Sequence, residues 1–182
     1  MLPPGHIAGG YLVAETLFSV TNFSLSSQQT NVLLSLGMFF AFAPDLDFFY
    51  AFFRLHGWTL QKNTVDHRKF ISHTPIVWLI AGLSIFFAAQ SSFMKVFGLL
   101  VWLGAWSHFV LDTIEYGIMW LWPFSTKVYA LKNRERKFVT AEKSFVRYWT
   151  RFVWWYMHRM SFWLELGVIL VAVFVFFVRR LF

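Results

Sequence analysis

Residues 93–114 read FMKVFGLLVWLGAWSHFVLDTI, and this stretch decides the fold of the chain. A helix needs about 20 mostly apolar residues to cross a bilayer, so the run predicts a membrane-crossing helix. Its last turns carry His108 and Asp112. Residues four apart lie on one helical face, with about 5–6 Å between Cβ atoms, so one cation could contact both side chains. An isolated hydrogen bond at a helix end is the alternative, but ionisable residues at membrane depth are costly and often functional.

The composition of the whole chain also indicates a membrane protein. Of its 182 residues, 58% are hydrophobic and only 14% are charged, whereas about 25% are charged in an average protein. No folded soluble surface could hide 24 Phe and 10 Trp residues. The net charge of +7 suits nucleic acid or an anionic membrane surface, and the hydropathy decides for the membrane, so no nucleic-acid partner is expected. The absence of cysteine excludes thiol catalysis, thiolate zinc sites and disulfides.

Hydrophobic segments recur along the chain and predict an all-α fold, an integral membrane helical bundle. Five segments stand out, at about residues 6–20, 32–43, 76–89, 93–114 and 162–178. The last two are long enough to span, while the first three are short, which leaves tilt, partial insertion or burial against neighbouring helices open. We therefore expect about four to five membrane-embedded helices plus a basic interfacial helix.

The basic residues are distributed unevenly between the connections. Thirteen of the 16 Lys and Arg residues lie in the connections after the second and fourth segments, which fall on one face. By the positive-inside rule that face is cytoplasmic, and we expect a multi-pass protein of the inner membrane. Arg179 and Arg180 would then lie on the far face, in mild conflict with the rule.

The chain divides by composition into three parts of one compact unit. Residues 1–125 form a membrane-embedded metal-site domain, residues 126–160 a basic and aromatic interfacial segment, and residues 161–182 a C-terminal transmembrane helix. Within the second part, residues 143–160 mix Arg with Phe, Trp and Tyr, which predicts an interfacial helix that meets the bilayer and anionic lipid head groups. The alternative is a solvated or bilayer-facing helix without a catalytic part. Residues 128–140 are more polar and predict a short hairpin or a loop.

The predicted topology brings clusters that are far apart in sequence to one membrane face. Those residues are His6, Asp45, Asp47, His67, Arg68, His73, His108 and Asp112. Nitrogen and oxygen donors without cysteine favour zinc first, with manganese or magnesium as further candidates. More than three or four ligands would suit a two-metal site, so we expect one to three divalent ions.

The backbone around Pro44 decides how Asp45 and Asp47 are used. Pro44 ends or kinks the second helix. In an extended segment residues two apart point the same way, so both carboxylates could face one site. In a helical segment they diverge and only one can be a direct ligand.

The residues before the third helix suggest phosphate chemistry. Thr74 and Pro75 predict a helix start, with Thr74 as N-cap and Pro75 at the first position. His73 would lie at the positive end of that helix, which favours anions, and Arg68 offers a planar fork for phosphate oxygens. Alternatively, His73 only caps its own loop.

Several ionisable residues remain ambiguous. Glu165, near the cytoplasmic start of the last segment, is either a metal ligand or a partner of Arg159 or Lys143. Glu15 is a packing residue or an ion-pair partner. We assign structural roles to His56 and His158, which lack acidic neighbours.

The linked motifs resemble a known family. They are Gly5-His6, Pro44-Asp45-Leu46-Asp47, His67-Arg68 through Ser72-His73-Thr74, Ser107-His108 with Asp112, Gly117, and Trp122-Pro123-Phe124. Over residues 1 to about 125 the chain looks like the YdjM-type family of bacterial inner-membrane proteins, described as metal-dependent hydrolases. That family is distantly similar to zinc-dependent phospholipase C and P1 nuclease, whose ligands match His6, Asp45, His67, His108 and Asp112 here. The chain lacks an evident HxxxE pair of the kind that completes a three-zinc site.

These observations lead to a hypothesis of a membrane-bound hydrolase of a phosphoester, such as a lipid or prenyl phosphate. Asp47 or His73 would act as general base, Arg68 would stabilise the developing charge, and the remaining His and Asp residues, with Glu165, would bind metal. The alternative is a non-enzymatic regulatory or scaffold protein with a structural metal site. Haem binding is a third possibility, although carboxylates rather than facing histidines accompany these histidines.

Overall fold

The computed structural model describes residues 2–47, 69–132, 138 and 144–181, and these residues confirm the all-α fold. Their six α-helices are α1 (Pro3–Val20), α2 (Ser27–Phe42), α3 (Pro75–Ala88), α4 (Ser92–Thr113), α5 (Phe145–Met157) and α6 (Met160–Leu181). Two short 3-10 helices, Ala43–Asp45 and Ile71–His73, follow α2 and precede α3. Within these described ranges the only β pairing is an isolated bridge between Ile118 and Tyr129.

Local capping explains where the helices begin. Helix α2 begins earlier than hydropathy predicts, because Ser26 and Gln29 form a reciprocal capping box before a polar first turn. Helix α3 begins as predicted, with Thr74 at the N-cap and Pro75 at the first position. The Thr74 hydroxyl does not cap the helix; it donates to the carbonyl oxygen of Ile71 at 2.6 Å.

Helix α4 lies at the centre of the fold. It packs against α1, α2 and α3, while α6 packs on α1 and α5 contacts α6. Val96, Leu100 and Phe109 on α4 are fully buried, together with Ala14 of α1 and Leu33 of α2. The long apolar segment that predicts a membrane-crossing helix is therefore the one on which three other helices pack.

Glycines allow the helices to approach closely. Gly10, Gly37 and Gly104 meet where α1, α2 and α4 cross, and a Cβ built on Gly10 would lie 2.4 Å from the carbonyl oxygen of Gly37. On the other side of α4, a Cβ built on Gly82 would lie 2.6 Å from the carbonyl oxygen of Gly98. Small residues at helix contacts are typical of membrane bundles, in which van der Waals packing drives association.

Two of the described helices, α4 and α6, are long and apolar enough to cross a membrane, as predicted. Helix α3 is apolar but shorter. Helix α6 exposes a broad apolar surface that includes Leu170, Phe174 and Phe177, which is typical of a helix that faces lipid rather than a protein core. That four or five helices are embedded in the membrane remains a prediction.

The chain after α4 folds back on the end of that helix. Gly117 adopts a φ of 84°, a conformation that glycine reaches without strain, and reverses the chain direction. Ile118 and Tyr129 then exchange backbone hydrogen bonds, and the Leu131 N–H donates to the carbonyl oxygen of Thr113 at 2.9 Å. The predicted hairpin or loop at residues 128–140 is thus a loop as far as residue 132; most of the remainder lies outside the described residues.

The basic aromatic stretch forms a helix, as the sequence predicts. Tyr148, Phe152 and Tyr156 recur at four-residue spacing on the buried face of α5, while Arg147 and Arg151 are exposed. A helix with one apolar and one basic face is typical of proteins that lie on a membrane surface.

Replacement of Gly10 by alanine is expected to destabilise the protein by about 1–3 kcal/mol, because the new methyl group would overlap backbone atoms of α2. The matched control is Gly167→Ala on α6, where a Cβ meets nothing within 4 Å. Alanine there should gain up to about 1 kcal/mol in helix propensity. Thermal unfolding of detergent-solubilised protein, followed by tryptophan fluorescence, measures both. Equal stability of the two variants would contradict the close helix crossing.

Candidate metal centre

Four separate segments bring ionisable side chains to one end of the bundle. His6 comes from the first turn of α1, Asp45 from the 3-10 helix after α2, and His73 from the 3-10 helix before α3. His108 and Asp112 come from the last turns of α4. Because α1 and α3 begin at this end while α2 and α4 finish there, residues more than a hundred positions apart, such as His6 and Asp112, become neighbours.

The side chains contact each other around a common centre. Asp112 Oδ1 lies 3.5 Å from His6 Nε2, and Asp45 Oδ1 lies 3.5 Å from His73 Nε2 and 3.7 Å from His108 Nε2. The rings of His6 and His108 stack with centroids 3.8 Å apart. Among the residues that the structure describes, two groups could hold a metal ion: His6 with His108 and Asp112, and Asp45 with His73 and His108. Since His108 belongs to both groups, they form one continuous cluster.

The cluster is buried, and some of its nitrogens lack hydrogen-bond partners. His6, His73 and His108 have 0% exposure and Asp112 has 1%, while Asp45 is 15% exposed at its side chain. Within the part of the chain that the structure describes, both ring nitrogens of His6 and Nε2 of His108 make no hydrogen bond. A buried polar atom without a partner costs free energy, and a divalent cation would satisfy the lone pair on one nitrogen of each ring. The donor set therefore fits a metal bound by nitrogen and oxygen.

Outer contacts orient two of the imidazoles. His108 Nδ1 lies 3.0 Å from the carbonyl oxygen of Ala41, which can only accept, so Nδ1 carries the hydrogen and Nε2 faces the cluster. On the other ring, His73 Nδ1 lies 2.7 Å from Asp47 Oδ2, which also accepts a hydrogen bond from the Ser72 hydroxyl. Partners of this kind fix the ring orientation of metal-binding histidines and raise their basicity.

The two carboxylates of Asp45 and Asp47 affect the protonation of His73. Burial is the largest single effect and lowers the pKa of His73, but the hydrogen bonds and negative charges of both aspartates together raise it above its usual value. A proton is therefore held more firmly on this ring, and metal binding at Nε2 has to compete with protonation.

The backbone conformation after Pro44 decides whether both Asp45 and Asp47 or only one of them faces the cluster. Residues 43–47 are helical, so the two carboxylates diverge. Asp45 faces the cluster, whereas Asp47 contacts the outer nitrogen of His73. Only Asp45 belongs to a group that could hold metal.

Glu165 lies outside the groups of described residues that could hold a metal. Its Oε2 accepts from the Leu2 N–H at 3.1 Å and from the Tyr156 hydroxyl, and its Oε1 accepts from the Gly5 N–H at 3.1 Å. Burial raises the pKa of Tyr156, and the hydrogen bond to Glu165 raises it further, so the phenol remains a donor at neutral pH. Glu165 thus joins α5 and α6 to the start of α1.

Sequence reasoning did not identify Glu115, a second buried glutamate at this end. Its Oε2 accepts from the backbone N–H of Ser161 at 3.2 Å and from the Ser161 hydroxyl, and its Oε1 lies 3.5 Å from an Arg159 nitrogen. Arg159, one of the two residues considered as a partner for Glu165, thus forms an ion pair with Glu115. The sequence feature that could have indicated Glu115 is its position at the end of an apolar helix, in a chain with only nine Asp and Glu residues.

The remaining predicted residues lie away from the cluster or outside the described residues. His67, Arg68, His56 and Lys143 fall outside them. Glu15 is an ion-pair partner, with Oε2 lying 3.4 Å from Nε of Arg179 at the opposite end of α1. His158 is exposed, and its Nδ1 contacts the carbonyl oxygen of Trp154 at 2.8 Å, which agrees with a structural role.

The fold and site define an all-helical protein with two helices able to cross a membrane and a buried His–Asp cluster that could hold a metal ion. The chain belongs to the family described as YdjM inner membrane protein, which it matches over residues 1–181. This confirms the motif-based resemblance and extends it to the last helix. No curated protein and no solved structure was found to match the chain, and the distant similarity to zinc phospholipase C stays a prediction.

Asp47→Ala is expected to weaken zinc binding by about 10–100-fold, because the His73 ring loses the partner that orients it. Chelator competition on purified protein measures the affinity. Glu15→Ala, which also removes one carboxylate but at the opposite end of α1, should leave zinc affinity unchanged. Unchanged affinity in Asp47→Ala would contradict the orienting role.

Proposed function

We propose that this protein is a multi-pass inner-membrane hydrolase that uses a divalent metal to cleave a phosphoester, such as a lipid or prenyl phosphate, at the cytoplasmic face. One observation carries the proposal: His6, His108 and Asp112 meet Asp45 and His73 in a buried cluster, and within the described residues both ring nitrogens of His6 and Nε2 of His108 make no hydrogen bond. Such a cluster is costly to bury unless a cation fills it.

The described residues suggest a division of roles. His6, Asp45, His73, His108 and Asp112 would hold the metal, and zinc suits their nitrogen and oxygen donors best, with manganese or magnesium as alternatives. A divalent cation in such a site supplies Lewis acidity and an activated water for attack on phosphorus.

The partners of His73 decide its role in this proposal. Its Nε2 faces Asp45, which favours a ligand role over that of general base, while Asp47 holds a proton at Nδ1. Arg68 remains our candidate for stabilising charge on the phosphoryl group.

The orientation in the membrane rests on the distribution of basic residues. Most Lys and Arg residues lie in connections at the cluster end, which favours the cytoplasm for that end. Arg179 lies at the other end of the bundle, where Glu15 pairs with it. That pair neutralises Arg179 locally, but the positive-inside rule counts Lys and Arg rather than net charge, so the mild conflict remains.

The lipid-like nature of the substrate is supported by α5. Its exposed Arg147 and Arg151 would meet anionic head groups at the same membrane face as the cluster. A phosphoester that is part of a lipid would reach such a site from the bilayer.

A structural metal site in a non-enzymatic membrane protein is the second candidate, and the burial of the cluster favours it. Structural metal sites are closed, whereas catalytic sites keep a position open to water or substrate. Among the described cluster residues, only Asp45 is more than 1% exposed, at 15% of its side chain, and Asp47 beside the cluster is 10% exposed.

We expect the detergent-purified protein to contain bound metal and to hydrolyse a member of a panel of phospholipids and prenyl phosphates. His108→Ala and Asp112→Ala should each remove most of the metal and abolish turnover, because each deletes a buried ligand atom. The control is His158→Ala, which removes an exposed imidazole outside the cluster and should keep both properties. Elemental analysis measures the metal, and mass spectrometry of the lipid products measures hydrolysis of both phosphodiesters and phosphomonoesters.

The outcomes separate the two candidates. Metal-free wild-type protein, or full turnover in His108→Ala, would contradict the hydrolase proposal. Bound metal without turnover on any lipid phosphoester, combined with unfolding of the ligand variants, would favour the structural role.

A further inference from the structure

His6 differs from the other two cluster histidines in how its ring is held. His108 and His73 each have an Nδ1 that contacts an oxygen from outside the cluster. Neither nitrogen of His6 makes a hydrogen bond within the described part of the chain. Its ring is held by stacking on His108, by the 3.5 Å contact of Nε2 with Asp112 Oδ1 and by the position of its own backbone. The placement of His6 therefore depends on the first turn of α1.

That first turn is held by a carboxylate from the other end of the sequence. The N-cap residue of α1, Leu2, makes no side-chain cap, and free N–H groups at a helix start need acceptors. Glu165 accepts from the Leu2 N–H at 3.1 Å and, through its other oxygen, from the Gly5 N–H at 3.1 Å, a donor that it shares with the carbonyl oxygen of Leu2. A negative charge at this position also complements the helix dipole.

The packing around this contact leaves little room for adjustment. A Cβ built on Gly5 would lie 2.6 Å from Cγ of Glu165, so the carboxylate arm rests directly on the backbone next to His6. The Tyr156 hydroxyl donates to the same carboxylate from α5 and restricts it further. Glu165 is 5% exposed and Tyr156 is 1% exposed, so water competes little with these bonds.

We propose that Glu165 is a positioning residue for the metal centre: by capping the first turn of α1 it places His6 against His108 and Asp112, without binding metal itself. The inference rests on the proposed metal site and assigns a role that the sequence pattern left ambiguous. Tyr156 supports it by holding the Glu165 carboxylate.

Glu115 provides a matched control within the same chain. It is also a buried glutamate, and it holds the same end of α6 through Ser161, but its described partners do not include α1. Loss of Glu115 should therefore lower stability without moving His6.

The test combines a metal-dependent and a metal-independent measurement on the detergent-purified full chain. Glu165→Ala is expected to weaken zinc affinity about tenfold or more in chelator competition, and Glu165→Gln, which keeps one acceptor, should weaken it less. Glu115→Gln should lower the thermal midpoint and keep the zinc affinity. If Glu165→Ala does not fold, the zinc affinities of Glu165→Gln and Tyr156→Phe are compared with that of Glu115→Gln instead.

A double-mutant cycle distinguishes positioning from direct ligation. In a His6→Ala background, removal of Glu165 should cause no further loss of zinc affinity, because its effect passes through His6. An equal further loss in that background would show that Glu165 acts directly or through the whole fold, and would overturn the inference. Zinc affinity that falls as much in Glu115→Gln as in Glu165→Gln would also overturn it.

Carbethoxylation of His6 by diethyl pyrocarbonate in metal-free protein supplies the measurement that does not require metal. His6 should be protected in the wild type and in Glu115→Gln but reactive in Glu165→Gln. If the wild type bound no zinc while this pattern held, the proposed function would fail and the positioning role would stand. Equal protection of His6 in all three proteins would overturn the positioning role whatever the metal content.

Discussion

Three imidazoles and two carboxylates are buried at one end of an apolar bundle. The free-energy cost of that burial is the constraint on which the rest of the structure depends. A buried polar atom without a partner costs about 1–3 kcal/mol, and His6 and His108 contribute three such nitrogens within the described residues. Hydrogen bonds from outside the cluster hold His73 and His108 but do not reach those atoms. A cation that binds the folded cluster would relieve this cost, so metal affinity and folding stability should be coupled.

The close helix crossing determines where these side chains meet. Gly10, Gly37 and Gly104 form the contact between α1, α2 and α4. Each lies one helical turn from a residue of the centre: Gly10 from His6, Gly37 from Ala41, whose carbonyl oxygen holds His108, and Gly104 from His108 itself. Since residues four apart share a helical face, the glycines allow the backbone approach that brings the His6 and His108 rings into stacking contact. Larger residues at the crossing would separate the ligands even if every ligand were retained.

The sequence could predict the convergence of His6, Asp45, His73, His108 and Asp112, because alternating helices return their ends to the same side of a bundle. It could not decide between Asp45 and Asp47, since their roles depend on whether the backbone after Pro44 is extended or helical, and tertiary contacts decide that. Glu165 shows a different limit. Its acceptor bonds reach Leu2 and Gly5, more than 150 residues away, and no local pattern indicates a helix cap from such a distance. Glu115 was missed for a similar reason, because its partners Arg159 and Ser161 lie just before and within the first turn of α6 and not in its own segment.

The two buried glutamates connect the metal centre to the basic helix. Glu115 holds the residues between α5 and α6 against the end of α4, and Glu165 holds Tyr156 of α5 against the start of α1. Helices α1 and α4 carry three of the five cluster residues, so the same polar contacts fix α5 and the cluster relative to each other. At the opposite end, the Glu15–Arg179 pair again joins α1 to α6. Helix α6 is therefore attached to α1 by polar contacts at both ends while much of its apolar surface remains exposed, an arrangement that holds a lipid-facing helix in place without a large buried interface.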